Sequence, residues 1–393
     1  MGLAGLIFTR QFPNREQPHR GTFVVEQMLA TSEDVSWRAI APVPWVPKAL
    51  SRVMDRPFVK GPDTLHGVHV DRPRYVVLPR RALYGSVAGS MARASRKAFA
   101  DVVSRHAPAF VHAHELYPSG LAAARLAGSA GLPLVVSVHG SDLYSNLVRA
   151  KWRDALREVV HSASAIVCVG TKLAEDTVAQ LGADRARVSV IPDCFDDAGF
   201  SFVDREPPMR RSIRLLSVGR LVPEKGFDVL LHAVVAVIAE GYDLELHVAG
   251  GGFLDSELRA LARSLGLEQR VKFLGAVTAE ELRGEYAAAD LYVQASRREG
   301  FGLALVEAQA TGLFAVATAS GGPSDIVTEE SGILVDPEDV AALTDGIIEG
   351  LLRSQRFDGE AVHEDMKSRF GRKAVGERLL GVYAGVVQGS ALS

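Results

Sequence analysis

Short runs of apolar, often β-branched residues alternate along this chain with longer stretches in which apolar positions recur every three or four residues. That alternation is the pattern of a parallel α/β sheet with helical crossovers. In the first half LAGLIFT (3–9), VSWRAIAP (35–42), FVHAH (110–114), LVVSVH (134–139), AIVCVG (165–170) and RVSVI (187–191) predict strands. The cycle restarts with IRLLSVG (213–219), LELHVAG (244–250), VKFLG (271–275), LYVQAS (291–296), LFAVAT (313–318) and GILV (332–335). Between the two series, DDAGFSFVDREPPMRRS (196–212) has adjacent prolines, mixed charge and no period, which predicts an interdomain linker. The reading is two doubly wound domains, residues 1–197 and 198–373. Ligands of such sheets bind beyond the carboxyl ends of the strands, so the residues just after each run carry the interest.

Length agrees with two domains, because 393 residues exceed the roughly 250–300 that one hydrophobic core serves. No stretch approaches the ~20 uninterrupted apolar residues of a membrane span. The start, MGLAGLIFTRQFPN, is too short and too quickly polar for a secretory signal and reads as a first buried strand. Two cysteines, Cys168 in an apolar run and Cys194 in a loop, form neither a CxxC pair nor a disulfide framework, so a reducing cytoplasm is expected. The formal charge of −3 conceals an asymmetry: residues 1–197 carry 24 Lys+Arg against 18 Asp+Glu, and residues 198–393 carry 20 against 29. Within 72–97 stand Arg72, Arg74, Arg80, Arg81, Arg93, Arg96 and Lys97 with no acid. A helix through 86–105 would set Arg93, Arg96 and Lys97 opposite Val87, Met91, Ala98 and Val102, a face suited either to solvent or to an anionic membrane surface.

The most informative stretch is EGFGLALVEAQATG after Arg298. Gly300 and Gly302 flank Phe301 in a turn that lets backbone N–H groups approach a ligand, and a helix beginning near Leu303 points its positive end at the same place. An anionic ligand is expected there. Two glutamates beside a phosphate would repel it, so each must face something neutral with paired hydroxyls: Glu307, two turns along the helix, a ribose diol, and Glu299, in the loop, a sugar ring. Those residues sketch a nucleotide diphosphate sugar.

The spacing resembles the Glu-x7-Glu signature of retaining glycosyltransferases, and its surroundings resemble family 4 of those enzymes. The likeness also runs through FPNREQPHRGTFV, FVHAHELYPSG, PLVVSVHGSD, SVGRLVPEKGFDVLLHA, HVAGGGFLDSELRALARSLGLEQRVKFLG, and ATASGGPSDIV with SGILVDPED. What the resemblance implies is the GT-B fold, two Rossmann-like domains facing across a cleft, with the last helix, about 374–393, packing back on the N-terminal domain. It also implies hexosyl transfer from a nucleotide diphosphate sugar to an acceptor hydroxyl with retention, in polysaccharide or glycoconjugate synthesis, with no metal or other cofactor. The acceptor would be a sugar, a lipid-linked molecule or a small molecule, and nucleic acid is not an expected partner.

Arg220 and Lys225 follow a predicted strand in GRLVPEKGFD and match the family's diphosphate-binding pair. Fixed cations there would stabilise the charge that grows as the glycosidic bond breaks. His139 closes a strand and is followed by glycine, and the matching family histidine contacts the sugar; alone it would read as a hydrogen-bonded core residue. Gly21, Gly250 and Gly252 match donor-binding loops, and His114 and Asp142 are acceptor-side candidates. His112 and His114 alternate along FVHAH and are expected to face opposite sides or to stagger at the strand end. The chain departs from the family at IPDCFD, where Asp193 and Cys194 stand in place of the usual Asn-Gly, and at Asp325, where glutamate is common. A nucleotide-sugar 2-epimerase on the same fold, or a non-catalytic nucleotide-sugar-binding subunit, are the rival readings.

Overall fold

The computed structural model describes residues 2–17, 20–45, 61–77, 84–147, 150–205 and 212–390. The chain forms two compact units, Met1–Cys194 with Val375–Ser393, and Phe195–Ala374. In the first unit the strands are β1 (Leu3–Phe8), β2 (Val35–Ile40), β3 (Val43–Pro44), β4 (Asp63–Leu65), β5 (Val68–Asp71), β6 (Arg74–Tyr75), β7 (Phe110–His114), β8 (Leu134–Val138), β9 (Ala165–Cys168) and β10 (Val188–Val190). Eight of them form a sheet in the order β10-β9-β8-β7-β1-β2-β5-β4, parallel except for the edge strand β4, while β3 and β6 pair separately. Every residue of β7, β8 and β9 is buried, as a parallel sheet covered on both faces requires.

The final helix, Arg372–Ser390, belongs to this core from Val375 onward. Its Val375, Leu379, Tyr383 and Val386 recur at helical spacing and join Trp37 and Phe110 in one apolar cluster. Tyr383 stacks on Phe110 with centroids 4.5 Å apart and meets the edge of Trp37 at 5.7 Å. Burial of such side chains is worth about 1.5–3 kcal/mol each, enough to fix the helix without strong intrinsic propensity.

The second unit has β11 (Ile213–Val218), β12 (Leu244–Ala249), β13 (Val271–Gly275), β14 (Leu291–Gln294), β15 (Ala315–Thr318) and β16 (Gly332–Val335), all parallel in the order β13-β12-β11-β14-β15-β16. The boundary falls at Cys194, three residues before the one drawn from sequence, and the first part of the expected linker is packed. Arg205 donates to the carbonyls of Val203, Thr311 and Tyr286, and the Phe200 ring meets Tyr286 edge-on at 5.7 Å. Residues 206–211 of that segment lie outside the described residues. Among the described residues no helix is long and apolar enough to cross a membrane.

Candidate functional site

In the second unit the strand order reverses between β11 and β14, so the loops leaving these two strands diverge to opposite faces and leave room at their carboxyl ends. Arg220 and Lys225 lie in the first loop, Glu299 in the second. The Lys225 ammonium and the Glu299 carboxylate form an ion pair, and Ser296 Oγ stands 3.2 Å from the same carboxylate oxygen. Both partners are mostly withdrawn from solvent. Arg220 is exposed and makes no side-chain hydrogen bond or ion pair among the described residues.

Arg297, absent from the sequence-based site, fastens the two loops. Its guanidinium donates to both oxygens of Asp228 at 2.8 and 2.7 Å, to Glu338 at 3.0 Å and to the Pro223 carbonyl at 2.8 Å, and its backbone amide donates to Glu224 O at 2.8 Å. This forked geometry is specific to arginine. It holds Asp228 below the usual carboxylate range. Asp228 and Arg297 are 69 positions apart, so no spacing could have signalled the pair.

The Glu299 backbone is pinned by two bonds, from its amide to Ser320 O at 3.0 Å and from the Gly322 amide to its carbonyl at 3.1 Å. Gly300 forms the turn; Phe301 is buried edge-on to Phe370 at 5.4 Å; Gly302 caps the helix Leu303–Ala310. Glu307 sits in that helix with a carboxylate oxygen 3.0 Å from the hydroxyl of Tyr286, which also lies 3.0 Å from Ala304 O. Burial, then the charge of Glu307, pushes the Tyr286 pKa well above its ordinary value, so the phenol stays protonated and orients the carboxylate. Tyr286 is a second positioning residue that no motif announced. After β12, Gly250 adopts φ 130° and a Cβ there would stand 2.0 Å from Gly219 O; one at Gly252 would stand 2.3 Å from Leu221 O. Only glycine lets this loop lie on the one that carries Arg220.

In the first unit the reversal falls between β1 and β7. Gly21 opens the helix Thr22–Leu29 at φ 69°, with its missing Cβ 2.1 Å from Gln11 O. Glu115, just after β7, is buried and accepts from Arg10 Nε at 2.6 Å, Gln11 Nε2 at 3.2 Å and Ser119 Oγ at 2.7 Å. Next to it the structure gathers His114, His139 and Asp142. Asp142 accepts from the backbone amides of Leu116 at 2.7 Å and His139 at 3.0 Å, so its carboxylate is committed to fixing these two strand ends. Burial raises its pKa above the usual value despite those bonds.

His112 and His114 do not face opposite sides. Two positions apart on a strand, they share a face, and their rings stand 4.3 Å apart. His112 is satisfied by Tyr383 OH at 2.9 Å and Ser137 Oγ at 2.8 Å, and burial pushes its pKa down to about 3. His114 is likewise held far below its ordinary value by burial and by the neighbouring histidines, and its Nδ1 lies 3.3 Å from His139 Nε2. Cys168 and Cys194 are buried and form no disulfide, and burial raises the Cys168 thiol to about 12.

The basic stretch is only partly a surface. Arg72 is buried, paired with Asp63 and donating to Pro13 O at 2.6 Å, and is withdrawn from any external anion. Arg93, Arg96 and Lys97 are exposed on the helix Val87–His106, whose buried face is Val87, Met91, Phe99 and Val102 with Ala88 and Ser95; Lys97 pairs with Asp101 at 2.7 Å. Arg80 and Arg81 lie outside the described residues.

Two sheets, parallel but for the edge strand β4 and each reversing about a central strand pair, are the double Rossmann arrangement of the GT-B glycosyltransferases. The structure of Anabaena HepE in complex with UDP-glucose superposes with a TM-score of 0.71 at 17% identity, covering 98% of this chain and 100% of that one. Residues 35–198 match the family described as Glycosyltransferase Family 4 and residues 204–368 that described as Glycosyl transferases group 1; the chain belongs to family 4 of the glycosyltransferases. Among curated relatives, the GPI3 subunit of the Saccharomyces cerevisiae phosphatidylinositol N-acetylglucosaminyltransferase is 26% identical over 73% of this chain and 63% of its own length. The GDP-mannose-dependent monoacylated α-(1-6)-phosphatidylinositol monomannoside mannosyltransferase of Corynebacterium glutamicum is 35% identical over 42% of this chain and 45% of its own. The chain thus spans less than two thirds of either relative.

Proposed function

We propose that this protein transfers a hexosyl group, with retention, from a nucleotide diphosphate sugar to an acceptor hydroxyl. The observation that carries the reading is the set of groups at the β11/β14 reversal. Lys225 and Arg220 offer cations where a diphosphate would lie, Glu299 offers a carboxylate to sugar hydroxyls, and Glu307, oriented by Tyr286, offers one to the ribose. Bound UDP-glucose in the similarly folded HepE supports a donor of this class. Departure of the diphosphate concentrates negative charge, which Arg220, Lys225 and the amino end of the helix Leu303–Ala310 stabilise more in the transition state than in the ground state. The acceptor attacks from the face the diphosphate leaves, and a leaving phosphate oxygen takes its proton. No protein nucleophile and no metal enters this scheme. His139 is assigned a contact with the reacting sugar, and Gly21, Gly250, Gly252, Gly300, Phe301, Gly302 and Leu303 shape the loops around the donor.

The relatives' names include phosphatidylinositol-based acceptors, which favours a lipid-linked acceptor at a cytoplasmic membrane face, with Arg93 and Arg96 toward anionic headgroups. Release of nucleoside diphosphate from a panel of nucleotide sugars, measured with and without lipid and sugar acceptors, tests the reading. Acceptor-dependent release is expected. Epimerised sugar without diphosphate release, or binding without any turnover, would replace it.

A further inference from the structure

One departure from the family sequence falls beside His139. Asp193 is buried, receives Gln27 Nε2 at 2.9 Å, and places its Oδ1 3.5 Å from His139 Nδ1, within ion-pair distance of a protonated ring but without hydrogen-bond geometry. The other ring nitrogen of His139, Nε2, faces His114 Nδ1 at 3.3 Å, and Phe23 covers the ring with centroids 4.4 Å apart. His139 is therefore held from three sides within its own unit. His114 is kept neutral by burial, so a doubly protonated His139 can direct one N–H toward Asp193 and the other to His114 Nδ1 without leaving a clash of donors.

We propose that Asp193 is a positioning residue that holds His139 as an imidazolium in one ring orientation, giving the active site a fixed positive charge that an asparagine at the same place could not sustain. This rests on the transferase reading above. The charged neighbours of His139 are Asp193 from the segment after β10, Asp142 from the helix Ser141–Leu147 and Glu115 from the segment after β7, with neutral His112 and His114 on β7. Burial alone would lower the His139 pKa; the charge of Asp193 and then those of Asp142 and Glu115 outweigh it, and the net shift is upward. Asp142 is held by two amides and stays in place when Asp193 is changed, so the Asp193 contribution can be measured separately.

The test is Asp193→Asn, which keeps shape and the acceptor for Gln27 while removing the charge. The His139 ring is titrated by NMR, its signal identified by its loss in His139→Gln, alongside kcat and KM against pH, nucleoside diphosphate affinity by calorimetry, and the melting temperature. Loss of an opposite charge this close lowers a histidine pKa by about 1–3 units. The expected result is a His139 titration moved acidward by at least about one unit, with the alkaline fall in kcat moving with it. Midway between the two midpoints kcat should be about threefold below wild type, and above both about tenfold or more below it, while melting temperature and nucleoside diphosphate affinity stay near wild type. An unchanged His139 titration overturns the pairing, and a moved titration with an unmoved kcat profile overturns its role. Wild-type protein that shows no turnover with any donor instead refutes the transferase reading, and the NMR arm then still decides whether Asp193 charges His139.

Discussion

Glu299→Gln should make the protein bind free nucleoside diphosphate more tightly while making it a worse enzyme. Lys225 is paired with Glu299, and a diphosphate must either compete for that ammonium or approach it past a carboxylate. Two unit charges about 4 Å apart at an effective dielectric of about 20 interact by roughly 4 kcal/mol. The side chains retain 20% and 14% exposure, so solvent screening reduces the competing term to about 1–2 kcal/mol. Removing it should tighten nucleoside diphosphate binding about 5–30-fold. Turnover should fall about 10²-fold, since the carboxylate proposed to hold the sugar is gone. Calorimetry on wild type, Glu299→Gln, Lys225→Met and the double variant forms a cycle that isolates the pair. In the Lys225→Met background the gain should shrink, because no ammonium is left to release and only the repulsion between the carboxylate and the diphosphate is relieved. Affinity that is unchanged or weaker in Glu299→Gln, or a gain undiminished without Lys225, would refute the argument.

Glu307→Ala should weaken nucleoside diphosphate binding itself, and Tyr286→Phe should do so more mildly; calorimetry showing intact affinity in Glu307→Ala would remove the ribose assignment. Arg220, exposed and without a protein partner among the described residues, should affect kcat about 10²-fold on change to Ala with little change in melting temperature. A melting temperature that fell with activity would mark it as structural. Buried His112, whose folded pKa is lowered to about 3, binds its proton more readily when unfolded, so its contribution is present above about pH 6.5 and is lost as pH falls toward 3. That loss is at most about 5 kcal/mol, and His112→Gln should flatten the acid limb of stability against pH; an identical slope in the variant would exclude His112 as its source. Turnover should survive EDTA, since the proposed charge stabilisation comes from Arg220, Lys225 and a helix end, and loss of activity restored by Mg²⁺ would show otherwise.

Alternation of apolar runs and helical stretches was enough to locate all twelve expected strands, because a sheet strand covered on both faces must be continuously apolar and its crossovers must be amphipathic. The short strands β3, β4, β5 and β6 escaped, since β3 and β6 pair over two residues each, β4 is a three-residue edge strand, and β5 beside it fully buries only Val70, too little to impose a period. Motif spacing likewise placed Glu299, Gly302 and Glu307 at a loop and a helix start, where the turn and the helix are local consequences of nearby residues. Tertiary structure alone decided the partners: Lys225 against Glu299, Arg297 against Asp228, Tyr286 against Glu307, and Asp193 against His139 and Gln27. Each pair joins segments that follow different strands or helices, and the strand order that brings their ends together is a property of the assembled sheet. The sequence therefore determined which groups are present and what local backbone carries them, whereas the charge state of each group depends on burial and on neighbours supplied from distant segments.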